Sequence, residues 1–198
     1  MVKAKIYIEG GGDKLLDILC QKGFHKLIKK CGFTGRMPRL VPWGARGFVY
    51  KRFKADHAKK ASSDYIAMLI DSEDPVANIN ETWNHLKTRD KWNKPQGATD
   101  EQVLFMTTCM ETWIVADRAT LKSHYLKLNA KKLPPLNDLE NRNRHEIQDK
   151  LKEATKNCTN KYEKGKRSYE ILGKLNPEAL RNNLPSFERM YLILKDIL

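Results

Sequence analysis

Carboxylates stand at the ends of two apolar runs in this sequence. Ile6-Tyr-Ile8 leads into Glu9 and then Gly10-Gly-Gly12, while Tyr65-Ile-Ala-Met-Leu-Ile70 leads into Asp71-Ser-Glu73-Asp74-Pro75. Asp71 and Glu73 are two positions apart, so in extended backbone they project to one side. Where such runs form an open parallel sheet, ligands collect beyond the carboxyl ends of the strands. A cluster of oxygen donors open to water there suits a hard divalent cation such as Mg²⁺, which keeps several of its waters. An ion so placed activates water and neutralises charge on a scissile phosphate. The glycine triplet lets the backbone approach that centre closely. Acidic residues at strand ends also cap the following helix. Asp13 is expected to do so, and Glu9 taken alone points no further than that.

The elements that must position these residues follow from hydrophobic period. Lys3–Ile8 alternates as a strand, and Asp13 caps a helix carrying Leu15, Leu16, Leu19, Phe24, Leu27 and Ile28 at helical spacing, stopped by Gly32 and Gly35. Arg39–Pro42 reads as a short strand and Phe48–Lys60 as a basic helix. Tyr65–Ile70 is continuously apolar, as expected of a strand covered on both faces. Asn80–Leu86 reads as a short helix, Val103–Thr107 as a strand, and Glu111 to Tyr125 as a helix. This alternation predicts an α/β fold, a parallel sheet with right-handed crossovers. Beyond Pro134-Pro135 the pattern is helical, over Leu139–Thr155, Ser168–Lys174 and Phe187–Ile197. The expected organisation is a core over residues 1–126 and a helical extension over 136–198 packed on it, joined through Lys127–Pro135.

The charge distribution is uneven. The 198 residues carry 37 Lys and Arg against 24 Asp and Glu, a net +13. From Lys22 to Lys60 there are 12 basic residues and one acid, Asp56; from Asp71 to Asp117 there are 9 acids and 4 bases. A basic block beside an acidic one is what a polyanion-binding face next to a cation centre requires, and a solvated basic surface would look the same. Within Arg36–Lys54, the cations Arg36, Arg39, Arg46, Lys51, Arg52 and Lys54 are expected to engage phosphates, and Trp43 to stack an unpaired base. Phe48 and Phe53 read instead as packing residues of that helix.

Other chemistries are excluded. The glycine triplet lacks the third glycine of a dinucleotide loop, because position 15 is Leu15, and no phosphate-loop motif is present. The five histidines share no zinc spacing, no nucleophile elbow occurs, and the four cysteines read as free thiols in a reducing compartment. No apolar run is long enough to span a bilayer and no signal peptide precedes Glu9, so a soluble cytoplasmic protein is expected, without a membrane partner.

Four stretches together carry a resemblance: Ile8-Glu-Gly-Gly-Gly12, Leu69-Ile-Asp-Ser-Glu-Asp-Pro75, Met110-Glu-Thr-Trp-Ile-Val-Ala-Asp117 and Tyr162-Glu-Lys-Gly165. The chain resembles the Toprim domain of topoisomerases, primases and OLD-family nucleases. It is most similar to a bacterial Toprim-like family of unknown function, often encoded beside ATPases in phage-defence loci. The resemblance implies a Toprim-like, Rossmann-like sheet and a nuclease using Mg²⁺ or Mn²⁺. It implies Glu9 as general acid/base or ligand, Asp71 and Glu73 as ligands with Asp74 the alternative to Glu73, and Lys164 as the basic residue near the scissile phosphate. Lys164 reads equally as a loop lysine. Glu111 either joins the metal cluster or stabilises a helix N-terminus. Asp117, about 240° around a helix from Glu111, would pair with Arg118 or another base.

Two functional classes remain from the sequence. One is a metal-dependent nuclease acting on DNA or RNA, an anti-phage effector working with a separate ATPase subunit. The other is a non-catalytic nucleic-acid- or partner-binding subunit that keeps the fold. A nucleotidyl-transfer enzyme ranks behind both. The amphipathic spacing of Tyr191, Leu192 and Leu194 would either finish the core or form a homodimer face.

Overall fold

The computed structural model of the chain describes residues 4–61 and 64–198. Four strands, β1 (Ala4–Ile8), β2 (Arg39–Pro42), β3 (Tyr65–Asp71) and β4 (Val103–Met106), form one all-parallel sheet in the order β2-β1-β3-β4. Lys3, where the first strand was expected to start, lies outside the described residues. The helices are α1 (Lys14–Ile28), α2 (Arg46–His57), α3 (Thr82–Asp90), α4 (Met110–Ala116), α5 (Arg118–His124), α6 (Arg144–Thr155), α7 (Lys166–Leu172), α8 (Pro177–Asn183) and α9 (Pro185–Ile197).

The pleat sorts the strand residues between two cores. Tyr7, Met68, Ile70, Val103 and Phe105 pack with Val49, Phe53, Trp83 and Leu86 of α2 and α3. Ile6, Ile8, Ala67, Leu69, Leu104 and Met106 pack on the opposite face, in a cluster that continues through Trp113, Leu151, Leu172 and Phe187. All seven residues of β3 are buried, as a strand covered on both faces requires. The α/β expectation therefore holds. The hydrophobic cluster on the α1 side contains residues from β1 through α9, so the C-terminal helices share the sheet's core.

Several helices differ from the expectation. The helix expected over Glu111–Tyr125 divides at Asp117, whose backbone leaves the helical region. The buried Asp117 carboxylate accepts from the amides of Thr120 (3.0 Å) and Asn176 (2.7 Å), holding two chain segments together. It does not pair with Arg118, whose guanidinium donates to the Pro134 carbonyl. The stretch expected as one helix from Leu139 is a 3₁₀ turn, Leu139–Asn141, and α6 begins only after Asn143 caps it. Helix α8 was missed although its start carries a sequence signal, the cap Asn176 followed by Pro177 in the first turn. Leu15, assigned to the buried stripe of α1, is 64% exposed.

Glu140, in that 3₁₀ turn, accepts from the Ser186 amide (3.2 Å) and hydroxyl at the start of α9. Burial pushes its carboxyl up to about 7, against the Ser186 hydrogen bonds that lower it. A pKa above the unfolded value means the folded state holds the proton more tightly. The stability from this group is therefore complete below the unfolded pKa and is lost as pH rises to about 7. Glu140→Gln keeps an acceptor and removes the charge. It is expected to raise the melting temperature by ~4–8 °C at pH 8, on the order of 2 kcal/mol, and to change it little at pH 5. Thermal melts at the two pH values check this; an equal effect at both would contradict it.

Candidate metal centre

The carboxyl ends of β1 and β3 lie side by side, since Ile8 is in register with Leu69. The Glu9 amide donates to the Leu69 carbonyl (2.9 Å), and the Glu9 side chain accepts from the Asp71 amide (3.0 Å). Asp71 is 8% exposed and accepts from the Met110 amide (2.9 Å) at the start of α4. Glu73, with φ 71°, has its amide bonded to the Thr108 carbonyl (2.9 Å), which turns the chain back over the sheet end. The result is that Glu9, Asp71 and Glu73 each offer a carboxylate oxygen within 4.8 Å of the others.

The electrostatics of this group are unfavourable without a cation. Burial raises the Glu9 carboxyl above its ordinary range, opposed by the Asp71 amide and by the charges of Arg46, Lys164 and Arg144. Burial, followed by the charges of Glu9 and Glu111, holds Asp71 well above the ordinary range, opposed by Lys164 and the Met110 amide. Lys164 thus lies within electrostatic reach of both carboxylates, on an exposed stretch just before α7. Glu73 differs: its carboxylate is engaged by Arg144, and by Arg89 at 3.1 Å.

The glycine triplet is shaped by a neighbour absent from any motif. The Gly11 amide donates to the Tyr169 hydroxyl (2.8 Å), and a Cβ on Gly10, whose φ is 138°, would sit 2.6 Å from that hydroxyl. Gly10 also pairs with Gly44, tying the loop after β1 to the loop after β2.

Asp74 and Glu111 do not join the group of three. Asp74 is exposed and pairs with Arg89 (2.7 Å). Glu111 is buried, accepting from the Tyr162 hydroxyl (2.7 Å) and from Gln148 (3.3 Å), and it reaches Asp71 only through its charge. This contact joins two of the four motif stretches, Met110–Asp117 and Tyr162–Gly165. Tyr162→Phe would leave a buried carboxylate oxygen without its donor, with an expected loss of about 1–3 kcal/mol. Urea denaturation checks it, and an unchanged midpoint would contradict the pairing.

The basic stretch divides in two. Arg36, Arg39, Lys51 and Lys54 are exposed, and Arg52 is half-buried. Arg46, expected on the phosphate-facing surface, is buried: its Nε donates to the Asp71 carbonyl (2.9 Å), its guanidinium pairs with Asp90, and it lies over Trp92. It therefore braces the end of β3 from behind. Phe48, expected to pack inward, is 61% exposed, while Phe53 is fully buried. The sequence does not disclose Arg144, Arg89 or Tyr169: Arg144 and Tyr169 reach the site from helices 71 and 158 residues from their partners, and Arg89, 16 residues from Glu73, reads as one charge among many on its helix.

No curated protein and no solved structure matches the chain. A family model described as Domain of unknown function (DUF4276) matches residues 8–195, a span that includes both strand ends, the Glu111–Tyr162 pair and Lys164. The chain belongs to the DUF4276 family.

Proposed function

We propose that this protein is a metal-dependent nuclease of Toprim type, with Glu9, Asp71 and Glu73 holding Mg²⁺ or Mn²⁺. The observation that carries the reading is the convergence of these three carboxylates at the open end of a parallel sheet. The donor set fits a hard cation, being all oxygen, and the mutual charge of Glu9 and Asp71 is what a divalent ion relieves. When bound, such an ion supplies an activated water and neutralises charge on the phosphate. As a ligand Glu9 would be ionised, its charge balanced by the ion and by Arg46, Lys164 and Arg144. Lys164 presents positive charge toward the same pair and orients a phosphate beside them. Arg144 and Arg89 pair with Glu73, and a cation bound there would compete with them for its carboxylate.

By its resemblance to proteins encoded beside ATPases, the chain works as an anti-phage effector with a separate ATPase subunit that supplies the nucleotide chemistry. A second reading, a binding subunit that does no chemistry, is favoured by one observation: the two arginines already neutralise Glu73. End-labelled plasmid, single-stranded DNA and bulk transfer RNA, incubated with Mg²⁺, Mn²⁺ or chelator, separate the two. The nuclease reading expects cleavage that chelator abolishes and Glu9→Gln removes. Cleavage that survives either one contradicts it.

A further inference from the structure

We infer that the outer face of α2 is a track for a single-stranded nucleic acid, with Trp43 and Phe48 as stacking platforms leading to the metal centre. As an assignment of substrate class it rests on the nuclease reading; as a binding surface it stands on its own contacts.

The inward side of α2 is already complete: Val49, Tyr50, Phe53 and His57 are its buried side chains besides Arg46. Packing therefore gives no reason for an outward phenylalanine. Phe48 is 61% exposed, with the Lys51 ammonium 5.9 Å from its ring centroid. Trp43 is 40% exposed, with the Arg52 guanidinium 5.0 Å from its ring and its edge against Tyr7. Both exposed aromatics thus carry a cation of the same helix. An aromatic face beside a positive charge is the combination that holds an unpaired base and its phosphate, whatever the base. A duplex hides its base faces and gains nothing from such platforms.

The placement joins the track to the chemistry. The Trp43 amide donates to the Ile8 carbonyl (3.0 Å), and Ile8 is in register with Pro42. Trp43 therefore stands beside Glu9 on the neighbouring strand, about 5 Å away along the hydrogen-bonding direction. Along one flank of α2, an open depression of about 530 Å³ is lined by Gly47, Tyr50, Lys51, Lys54, Ala55 and Trp92. Tyr50 and Trp92 in its lining are stacked in parallel, with centroids 4.3 Å apart. Charge complementarity selects the occupant. Asp56, the single acid between Lys22 and Lys60, balances Lys5 (2.9 Å) and Arg52 (3.1 Å), while Lys51 and Lys54 have no acidic partner among the described residues, so the face keeps positive charge for a polyanion.

The test is fluorescence anisotropy of the full chain at physiological salt in chelator, where no metal-dependent cleavage occurs. The probes are labelled oligouridylate, labelled oligothymidylate and the duplex of the latter with its complement. Both single strands are expected to bind at least about tenfold tighter than the duplex. Trp43→Ala and Phe48→Ser are each expected to weaken single-strand binding roughly 5- to 100-fold while leaving duplex binding nearly unchanged. Phe48→Ser alters only an exposed side chain, so it keeps the test decisive even if Trp43→Ala disturbs Tyr7. Lys51→Ala is expected to weaken all probes and flatten the salt dependence. Equal affinity for duplex and single strand, or no effect of Phe48→Ser, overturns the inference. So does a Phe48-dependent dimer in light scattering with no single-strand preference. Single-strand binding without cleavage in Mg²⁺ or Mn²⁺ supports the track and removes the nuclease reading; cleavage with no single-strand preference does the reverse.

Discussion

Asp71→Asn should abolish metal-dependent cleavage, by about 10³-fold or more, and at the same time stabilise the metal-free fold. The amide keeps the oxygen that accepts from the Met110 amide (2.9 Å), so the turn into α4 is retained. It removes a buried charge that faces Glu9 and Glu111. Because the folded state holds the Asp71 carboxyl well above its unfolded pKa, that carboxyl costs stability at every pH above the unfolded value. Relief of about 1 kcal/mol would appear as a rise of ~2–4 °C in a melt done with chelator. A structural aspartate would behave in the opposite way, with its loss lowering the melting temperature and sparing activity. The two readouts together therefore separate a carboxylate kept for chemistry from one kept for folding.

Trp113→Ala is expected to cost about 3–5 kcal/mol. Trp113 is fully buried in α4, with ring edges meeting Phe24 of α1 (6.2 Å between centroids) and Phe187 of α9 (4.8 Å). The indole thus joins the first helix of the sheet to the last helix of the chain. Its truncation should lower the denaturation midpoint of the sheet and of the C-terminal helices alike, in one transition followed both by tryptophan fluorescence and by far-ultraviolet dichroism. Two separated transitions, with only the later helices affected, would contradict a shared core.

What the sequence discloses and what it conceals divides along the distance between partners. The strands are legible because each is a short apolar run closed by a local signal: Glu9 and glycines after β1, Asp71 after β3. The boundaries of β2 at Arg39 and Pro42 agree with expectation for the same reason. The acidic triad is legible because two of its members are two residues apart and the third ends the neighbouring strand. The division of the expected helix at Asp117 is not, since the amide that holds its carboxylate belongs to Asn176. Arg46 reads as one more surface cation because its partner Asp90 lies on α3, a whole strand further along. Glu111 is visible as an acid after a strand, but its engagement by Tyr162 depends on α4 meeting the turn before α7. Phe48 reads inward as an aromatic like Phe53, but the two are about 140° apart around α2, and the buried side is that of Val49, Tyr50, Phe53 and His57.

The central claim is that Glu9, Asp71 and Glu73 form one cation site. Electron paramagnetic resonance of Mn²⁺ titrated into the purified protein measures this directly, because bound ion loses the six-line signal of the free ion. The account expects one saturable site, competed by Mg²⁺, that disappears in Asp71→Asn and weakens at least tenfold in Glu9→Gln. Mn²⁺ that stays free, or that binds equally well to both variants, would contradict it.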